Sequence, residues 1–388
     1  MQAARRPNIP IRLAPGRFWL WGVGLSLASG IIMVGAPYNL WVDFPQFWYA
    51  GQLVGTPTLI DPASQQAWMI AHHYEVFQFL YPPGTAWLYW PIGWLPIAAA
   101  FWVQAAAVVA IGFAAAWVAA RAFDLDTRVA IVATLAWTPV LGSAAVGHLE
   151  SLGLLLALVA IWALRNDRDL IAGLAVGGVL FKPTLALALL AILVLRLRWR
   201  AWFGVAIVAF GWYLLGVAGS AGDWLWPKDW LVLTAPYFDM DLAHNVNKTI
   251  GIPELVAGHG APAWLGYGLA AAVALVALPR LLRAPIVEAA AAACLVGLLV
   301  SPHSLSYEAV MALPFLLWML GTTGSGIAEP WRTWLLIPVY VAAQLFVITP
   351  YLGFSVFVVI VAVLAAVWIS GWQRLDGAGG LDPAAAGS

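Results

Sequence analysis

Asp43 is the residue whose type and position most strongly indicate chemistry in this chain of 388 residues. It follows an apolar segment at about residues 18–37 and lies inside the aromatic run from Tyr38 to Gly51. A carboxylate at the end of a membrane segment carries a desolvation cost that a structural role seldom explains, so a functional site is the default hypothesis. The ordinary alternative is a helix cap, because Asp is a common N-cap residue.

A second set of polar side chains could share the site with this carboxylate. They lie in the joints between later apolar segments: His148 and Glu150; Lys182; His244 and Lys248; and His303, Tyr307 and Glu308. Each has an ordinary interpretation as well, as a helix cap, a solvated loop residue or a lysine that extends toward the membrane surface. Together they combine carboxylates with cationic donors that could bind an anionic group.

His72, His73 and Glu75 form a loose cluster of metal-ligating residue types. No fixed ligand spacing is present, so a solvated helix in a loop is the better interpretation. We therefore expect no metal site and no other cofactor.

The elements that must hold these residues are membrane helices. The chain is 63% hydrophobic and 9% charged, whereas soluble chains carry about a quarter charged residues. Apolar runs of bilayer-spanning length recur from Phe18 to Ser370. We predict an all-α polytopic membrane protein with about 11–12 membrane helices. A single domain would cover residues 1–370, and residues 371–388 would form a disordered cytoplasmic tail.

Arg residues divide the joints between these segments into two groups. The chain has 15 Arg and 3 Lys, and Arg occurs before the first span and in joints around residues 121–128, 165–168, 196–200 and 280–283. Positive charge marks the cytoplasmic side of membrane proteins, so we expect these joints to face inward. The external face would hold two long loops, at about residues 38–82 and 219–262, and most of the polar side chains named above.

Two stretches have an unusual expected path. Residues 83–120 contain Pro91 and Pro96, but a single broken crossing keeps every Arg joint inside, so we prefer it to two full spans. The stretch 170–195 lies between two Arg-bearing joints and must enter and leave on the same side. Its apex would place Lys182 within the membrane-embedded protein, facing a cavity.

Several short motifs resemble glycosyltransferase family 87, a family of polyprenol-phosphate-mannose-dependent enzymes with the GT-C fold. The matching pieces are Asp43-Phe44 with Phe47 to Gly51, Tyr81-Pro82-Pro83 with Pro91 and Leu95-Pro96, Gly147-His148, Lys182-Pro183, and Ser301-Pro302-His303 with Tyr307-Glu308. Two positions depart from the family pattern. Gly-Gln is commoner than Gly147-His148, and Asp commonly follows the Tyr where this chain has Glu308.

The resemblance implies an inverting glycosyltransferase that moves a sugar, expected to be mannose, from a polyprenyl-phosphate co-substrate to a glycolipid or polysaccharide. Asp43 matches the acidic residue that is proposed as catalytic base in the family. The residues that would bind the donor phosphate or the substrate are Lys182, Lys248, His303, Tyr307, Glu308, His148, Glu150, Tyr81 and His244. The expected partners are these two substrates and membrane lipids, and we expect no nucleic acid.

A transporter or lipid flippase is the alternative from another functional class, because such proteins also combine many spans with broken helices and buried charge. Their ionisable groups would lie near the membrane midplane, whereas the groups here are expected at one face, with Lys182 as the chief exception. We therefore favour an enzyme of the bacterial inner membrane whose active site faces the periplasm or the exterior.

Overall fold

The computed structural model describes residues 22–28, 31, 43–74, 77–321, 329–346 and 352–370, with the backbone alone for residues 238–244 and 329–334. Most of the first expected span, Glu75, the His244 side chain and the tail from residue 371 therefore lie outside the described residues. Helices make up most of the described part, and its β-structure is one isolated bridge between Thr249 and Leu305.

The helices are numbered in chain order. They are α1 (22–28), α2 (Phe44–Leu53), α3 (Pro62–Ala71), α4 (Trp90–Gly93), α5 (Ile97–Phe123), α6 (Thr127–Ala136), α7 (Thr138–Val146), α8 (Glu150–Arg165), α9 (Asp169–Gly178), α10 (Pro183–Leu195), α11 (Trp199–Gly219), α12 (Trp226–Asn245), α13 (Ile252–Gly258), α14 (Ala263–Arg283), α15 (Ile286–Val300), α16 (Leu313–Leu320), α17 (Glu329–Ala343) and α18 (Val356–Ser370). Short 3₁₀ segments cover Pro57–Ile60, Pro83–Leu88, Val179–Phe181, Val246–Lys248 and Ser306–Ala312.

Among the described residues, three helices are long and apolar enough to cross a membrane, namely α5, α11 and α14. Helices α6 and α7 make a fourth if they are one broken span, since they meet at a 58° bend. Trp137 has extended backbone angles at this bend, and Pro139 in the first turn of α7 lacks the amide hydrogen that a continuous helix needs. The predicted all-α polytopic membrane fold is confirmed. The GT-C assignment and the number of membrane helices stay predictions.

Arg side chains join helix ends on one side of the molecule, which we call the arginine end. Arg165, the last residue of α8, donates to two carbonyl groups at the end of α5. Arg198, just before α11, pairs with Asp169 at the start of α9 at 3.0 Å. Arg196, just after α10, donates to two carbonyl groups at the end of α14. These Arg-bearing joints therefore lie together, as the charge pattern predicts.

The opposite side, which we call the polar end, contains the two long loops, the α7–α8 turn and the joint 301–308. The α9–α10 pair starts and finishes at the arginine end, and its apex reaches the polar end, where Lys182 contacts Glu150 in the first turn of α8. Thr85 Oγ1 donates to the carbonyl oxygen of Phe181 at 2.7 Å and so ties the apex to the 3₁₀ segment Pro83–Leu88. Residues 170–195 thus follow the predicted path.

Residues 83–120 differ from the predicted broken crossing in where the break falls. The 3₁₀ segment Pro83–Leu88 and α4 precede the crossing and pack on α2, where the Gln52 amide donates to the Gly93 carbonyl at 2.9 Å. Helix α5 then runs without a break for 27 residues, a length of about 40 Å. Pro91 thus lies in the short helix α4 and Pro96 at the N-cap of α5, where a missing amide hydrogen does not interrupt a long helix.

Small residues form close contacts among the central helices. Residues 289–293 of α15 are all alanine and all buried. Gly173 of α9 and Gly204 of α11 let the backbones of these two helices approach each other. Because lipid tails are as apolar as the helices, close packing of this kind drives the association of membrane helices.

Gly204→Ala should destabilise the protein, because the added Cβ would lie 2.6 Å from the carbonyl oxygen of Leu170. We expect a loss of about 1–3 kcal/mol, the usual range for an overpacked core. Gly211→Ala in the same helix is the matched control, since nothing lies within 4 Å of its added Cβ. Thermal midpoints of the detergent-purified variants test this, and equal midpoints for both would contradict the α9–α11 contact.

Candidate functional site

Asp43 lies immediately before α2, at the polar end. It occupies the N-cap position, but its side chain makes no capping hydrogen bond. Its Oδ2 atom instead lies 3.0 Å from Nε2 of His148, a residue 105 positions away in sequence. The carboxylate is partly buried, with 19% of the side chain exposed. The contact replaces the helix-cap interpretation with a long-range ion pair.

The turn between α7 and α8 carries His148 to this carboxylate. Gly147 has a φ of +86°, which L side chains rarely adopt, and an added Cβ would lie 2.8 Å from Phe44. The next residue therefore emerges against the start of α2. Nδ1 of His148 lies 3.1 Å from Oε1 of Glu150, so the imidazole bridges the carboxylates of Asp43 and Glu150.

Aromatic and amide groups enclose the His148 imidazole. The ring centroid of Tyr307 lies 4.0 Å from it, and Phe47 makes an edge contact at 4.9 Å. The Tyr81 hydroxyl lies 3.4 Å from Nδ1, and the Gln104 amide donates to the His148 carbonyl oxygen at 3.0 Å. Only 4% of the His148 side chain is exposed, and these contacts fix the orientation of the ring.

Lys182 approaches the same cluster from the α9–α10 apex. Its Nζ lies 3.0 Å from Oε1 of Glu150 and also contacts the Glu308 carboxylate. The rings of Tyr81 and Tyr307 lie 5.3 and 5.0 Å from the ammonium group, a distance at which aromatic faces attract cations. The side chain is 7% exposed. Lys182 therefore faces the protein interior, and its charge is held by two carboxylates.

Asp43, His148, Glu150, Lys182 and Glu308 thus form a line of alternating charges, which we call the charge chain. Each cation lies between two carboxylates. Burial of an unpaired charge is strongly unfavourable, whereas alternating partners compensate one another. The charge chain joins five separate elements at the polar end: the start of α2, the α7–α8 turn, α8, the α9–α10 apex and the 3₁₀ segment Ser306–Ala312.

A second acid–histidine pair lies in the neighbouring joint. His303 Nδ1 is 3.2 Å from Oε1 of the buried Glu254, whose Oε2 accepts the Ser304 amide at 3.3 Å. Glu254 was not predicted as a site residue, and only its place beside Pro253 in the second long loop could have drawn notice. The backbone of Lys248 contacts the same joint, because its carbonyl oxygen accepts a hydrogen bond from Ser306 at 2.8 Å.

The structure therefore brings most of the predicted site residues together. Seven of them form one connected cluster, in which each contacts at least one other member: Asp43, Tyr81, His148, Glu150, Lys182, Tyr307 and Glu308. His303 and Lys248 lie in segments that join this cluster through the bridge between Thr249 and Leu305. The His244 side chain lies outside the described residues.

The histidines of the first long loop are separate from this cluster. His72 is exposed and stacks on Trp68 at 4.1 Å, and its Nδ1 lies 2.8 Å from the Trp68 carbonyl oxygen. His73 is also exposed, and Glu75 lies outside the described residues. Across the described ranges, no three His, Cys, Asp or Glu residues form a group that could hold a metal ion.

The surroundings of His148 favour its protonated form. Burial opposes the charge, but the Glu150 carboxylate and the hydrogen bonds that the ring donates to Asp43 and Glu150 outweigh it and raise the pKa of His148 to about 9 from the ordinary 6.5. At neutral pH the imidazolium donates one hydrogen bond to each carboxylate. The Asp43 carboxylate is therefore partly exposed to solvent and is held at Oδ2 by the His148 imidazolium. This arrangement is suited to accept a proton from a bound hydroxyl group.

Comparison with known proteins gives one match. The model of a family described as Glycosyltransferase family 87 matches residues 79–302, which is more than half of the chain. The matched range contains the α7–α8 turn, the α9–α10 apex and Glu254. No curated protein and no solved structure matches the chain.

The stability of the protein should fall at alkaline pH because of His148. Its pKa is raised from 6.5 to about 9, so the imidazolium stabilises the fold fully below pH 6.5 and this contribution is lost as the pH rises through about 9. Between about pH 7 and pH 10, the thermal midpoint of the wild type should decrease more than that of His148→Gln, which has no charge to lose.

His259→Gln is the matched control for this experiment, because His259 is an exposed histidine at the end of α13. Its midpoint should decrease as in the wild type. An equal decrease in the wild type and in His148→Gln would show that the imidazolium does not stabilise the fold.

Proposed function

This chain belongs to glycosyltransferase family 87, and we propose that it transfers mannose from a polyprenyl-phosphate donor to a hydroxyl group of a glycolipid or polysaccharide. The observation that carries the proposal is the partly exposed Asp43 carboxylate, which His148 holds at the polar end of a membrane protein. A lipid-linked donor fits this position, because the membrane itself delivers its polyprenyl chain.

The proposed reaction is a single displacement. The acceptor oxygen attacks the anomeric carbon of the sugar, the bond from that carbon to the phosphate oxygen breaks, and its electron pair leaves with polyprenyl phosphate. The proton of the acceptor hydroxyl passes to Asp43. Phosphate is a good leaving group, so the step requires no general acid. Attack from the opposite side inverts the configuration, and a β-linked donor yields an α-glycoside.

Lys248 and His303 are the residues best suited to stabilise the departing phosphate. Cationic donors aimed at a developing negative charge are worth most where water is partly excluded. His303 is 26% exposed, and Nδ1 of its ring lies 3.2 Å from the Glu254 carboxylate. Lys248 is half-buried. Lys182 was also expected from the sequence to bind the phosphate or the substrate, but its ammonium group already contacts two carboxylates.

Family membership and the apolar helices indicate a membrane glycosyltransferase, and not a transporter or flippase. We further propose that the arginine end faces the cytoplasm, because positive charge is retained on that side. The polar end would then open to the periplasm of a bacterial inner membrane, where a lipid-linked acceptor can reach Asp43 without leaving the bilayer surface.

Asp43→Asn should lower the transfer rate by about 10²–10⁴-fold, the range for loss of a general base. Purified protein reconstituted with radiolabelled polyprenyl-phosphate mannose and candidate lipid acceptors tests this. Asp167→Asn is the matched control, since Asp167 is 87% exposed at the arginine end. Equal rates for Asp43→Asn and the wild type would remove Asp43 as the base. Substrate-dependent flux without transfer would support a transporter instead.

Removal of divalent metal should leave transfer unchanged, because the proposed step uses a carboxylate base and cationic side chains in the roles that a metal could take. The measurement compares initial rates before and after dialysis against a chelator. A loss of activity that added magnesium or manganese restores would contradict metal independence.

A further inference from the structure

Both cations of the charge chain are already committed to carboxylates. Lys182 lies between Glu150 and Glu308, and His148 lies between Asp43 and Glu150. Their side chains are 7% and 4% exposed. A phosphate that took Lys182 would leave the buried Glu308 carboxylate without this cation, which is strongly unfavourable. A phosphate that took His148 would remove the cation that holds the partly buried Asp43 carboxylate. These cations are therefore poorly placed to bind an incoming anionic donor.

We infer that His148, Glu150, Lys182 and Glu308 do not bind the donor and are instead positioning residues, which hold the Asp43 carboxylate toward the acceptor hydroxyl. The inference rests on the proposed function, because it assigns the base of that reaction its support. It also separates two groups of cations. His148 and Lys182 act through Asp43, whereas Lys248 and His303 bind the donor phosphate.

The geometry supports a positioning role at each step of the charge chain. Asp43 has no capping bond of its own, so its orientation depends on His148. The ring of His148 is fixed by Glu150 on one side and by the face of Tyr307 on the other. Glu150 is fixed by Lys182, which Glu308 retains at the apex. Loss of one member should therefore displace Asp43.

His148 also leaves one side of the carboxylate to the substrate. It binds Oδ2, and within the described part of the chain Oδ1 has no hydrogen-bond partner. A group that binds one oxygen and leaves the other to the reactant fixes the direction of proton transfer. Since a misplacement of about 1 Å can lower a rate by about 10²-fold, this support is worth a measurable part of the rate.

The groups that face His148 make its contribution dependent on pH. They are Asp43, Glu150 and the hydroxyl of Tyr81, with Tyr307 against the ring face and Lys182 beyond Glu150. The carboxylates favour the imidazolium. His148→Gln retains a hydrogen-bond donor but removes the charge. Wild-type activity should therefore decline as the pH rises through about 9, the pKa of His148, and His148→Gln should lack this decline.

Steady-state kinetics with polyprenyl-phosphate mannose separate the two groups of cations. His148→Gln and Lys182→Met should lower kcat by about 10- to 100-fold and change the donor KM by less than about twofold. Lys248→Met and His303→Gln should raise the donor KM. An increase in donor KM for Lys182→Met without a decrease in kcat would overturn the inference, as would an equal decline in activity at alkaline pH for the wild type and His148→Gln.

The double variant Lys182→Met, Glu308→Gln controls for misfolding, because it removes a neighbouring cation and carboxylate together. It should be more stable than Lys182→Met alone and retain the donor KM of the wild type. A raised donor KM in this folded variant would overturn the inference but not the proposed function. Absence of transfer by the wild type with every lipid-phosphate donor would overturn the proposed function and, with it, the inference.

Discussion

The Glu150 carboxylate is the charge on which the polar end depends. One of its oxygens meets both His148 and Lys182, the two buried cations of the cluster. Without it, each cation would keep a partner at only one side, Asp43 for the histidine and Glu308 for the lysine. Because Glu150 begins α8, which packs against α5, α9 and α15, the site is anchored in the core of the bundle.

The unusual features of the fold follow from the need to bring charges into this apolar setting. The α9–α10 pair returns to the side where it started, and its apex carries a lysine to the polar end. The break between α6 and α7 precedes the turn at Gly147, which carries a histidine to the start of α2. In a membrane such irregular backbone is tolerated only where protein surrounds it or a cavity adjoins it. Here it surrounds the only cluster of alternating buried charges in the described part of the chain.

Much of this arrangement was predictable from sequence. The Arg pattern predicts the return path of residues 170–195. The side of the membrane that a joint faces can be inferred from the Arg and Lys residues of that joint alone, without knowledge of long-range contacts. The desolvation cost of a charge within a membrane protein predicts that Asp43 and Lys182 belong to a functional site. Pairing was not predictable: the contact of Asp43 with His148 spans 105 positions, and that of His303 with Glu254 spans 49. Lys182 was therefore expected from the sequence to bind phosphate, whereas in the structure two carboxylates already contact it.

The most direct test is a cryo-EM structure of the protein with a non-transferable polyprenyl-phosphate mannose analogue. The account predicts the phosphate beside His303 and Lys248 and the anomeric carbon within reach of a hydroxyl group bound to Asp43. Lys182 should remain between Glu150 and Glu308, and His148 should remain on Asp43. A phosphate bound to the Lys182 ammonium, with either carboxylate displaced from it, would contradict the account.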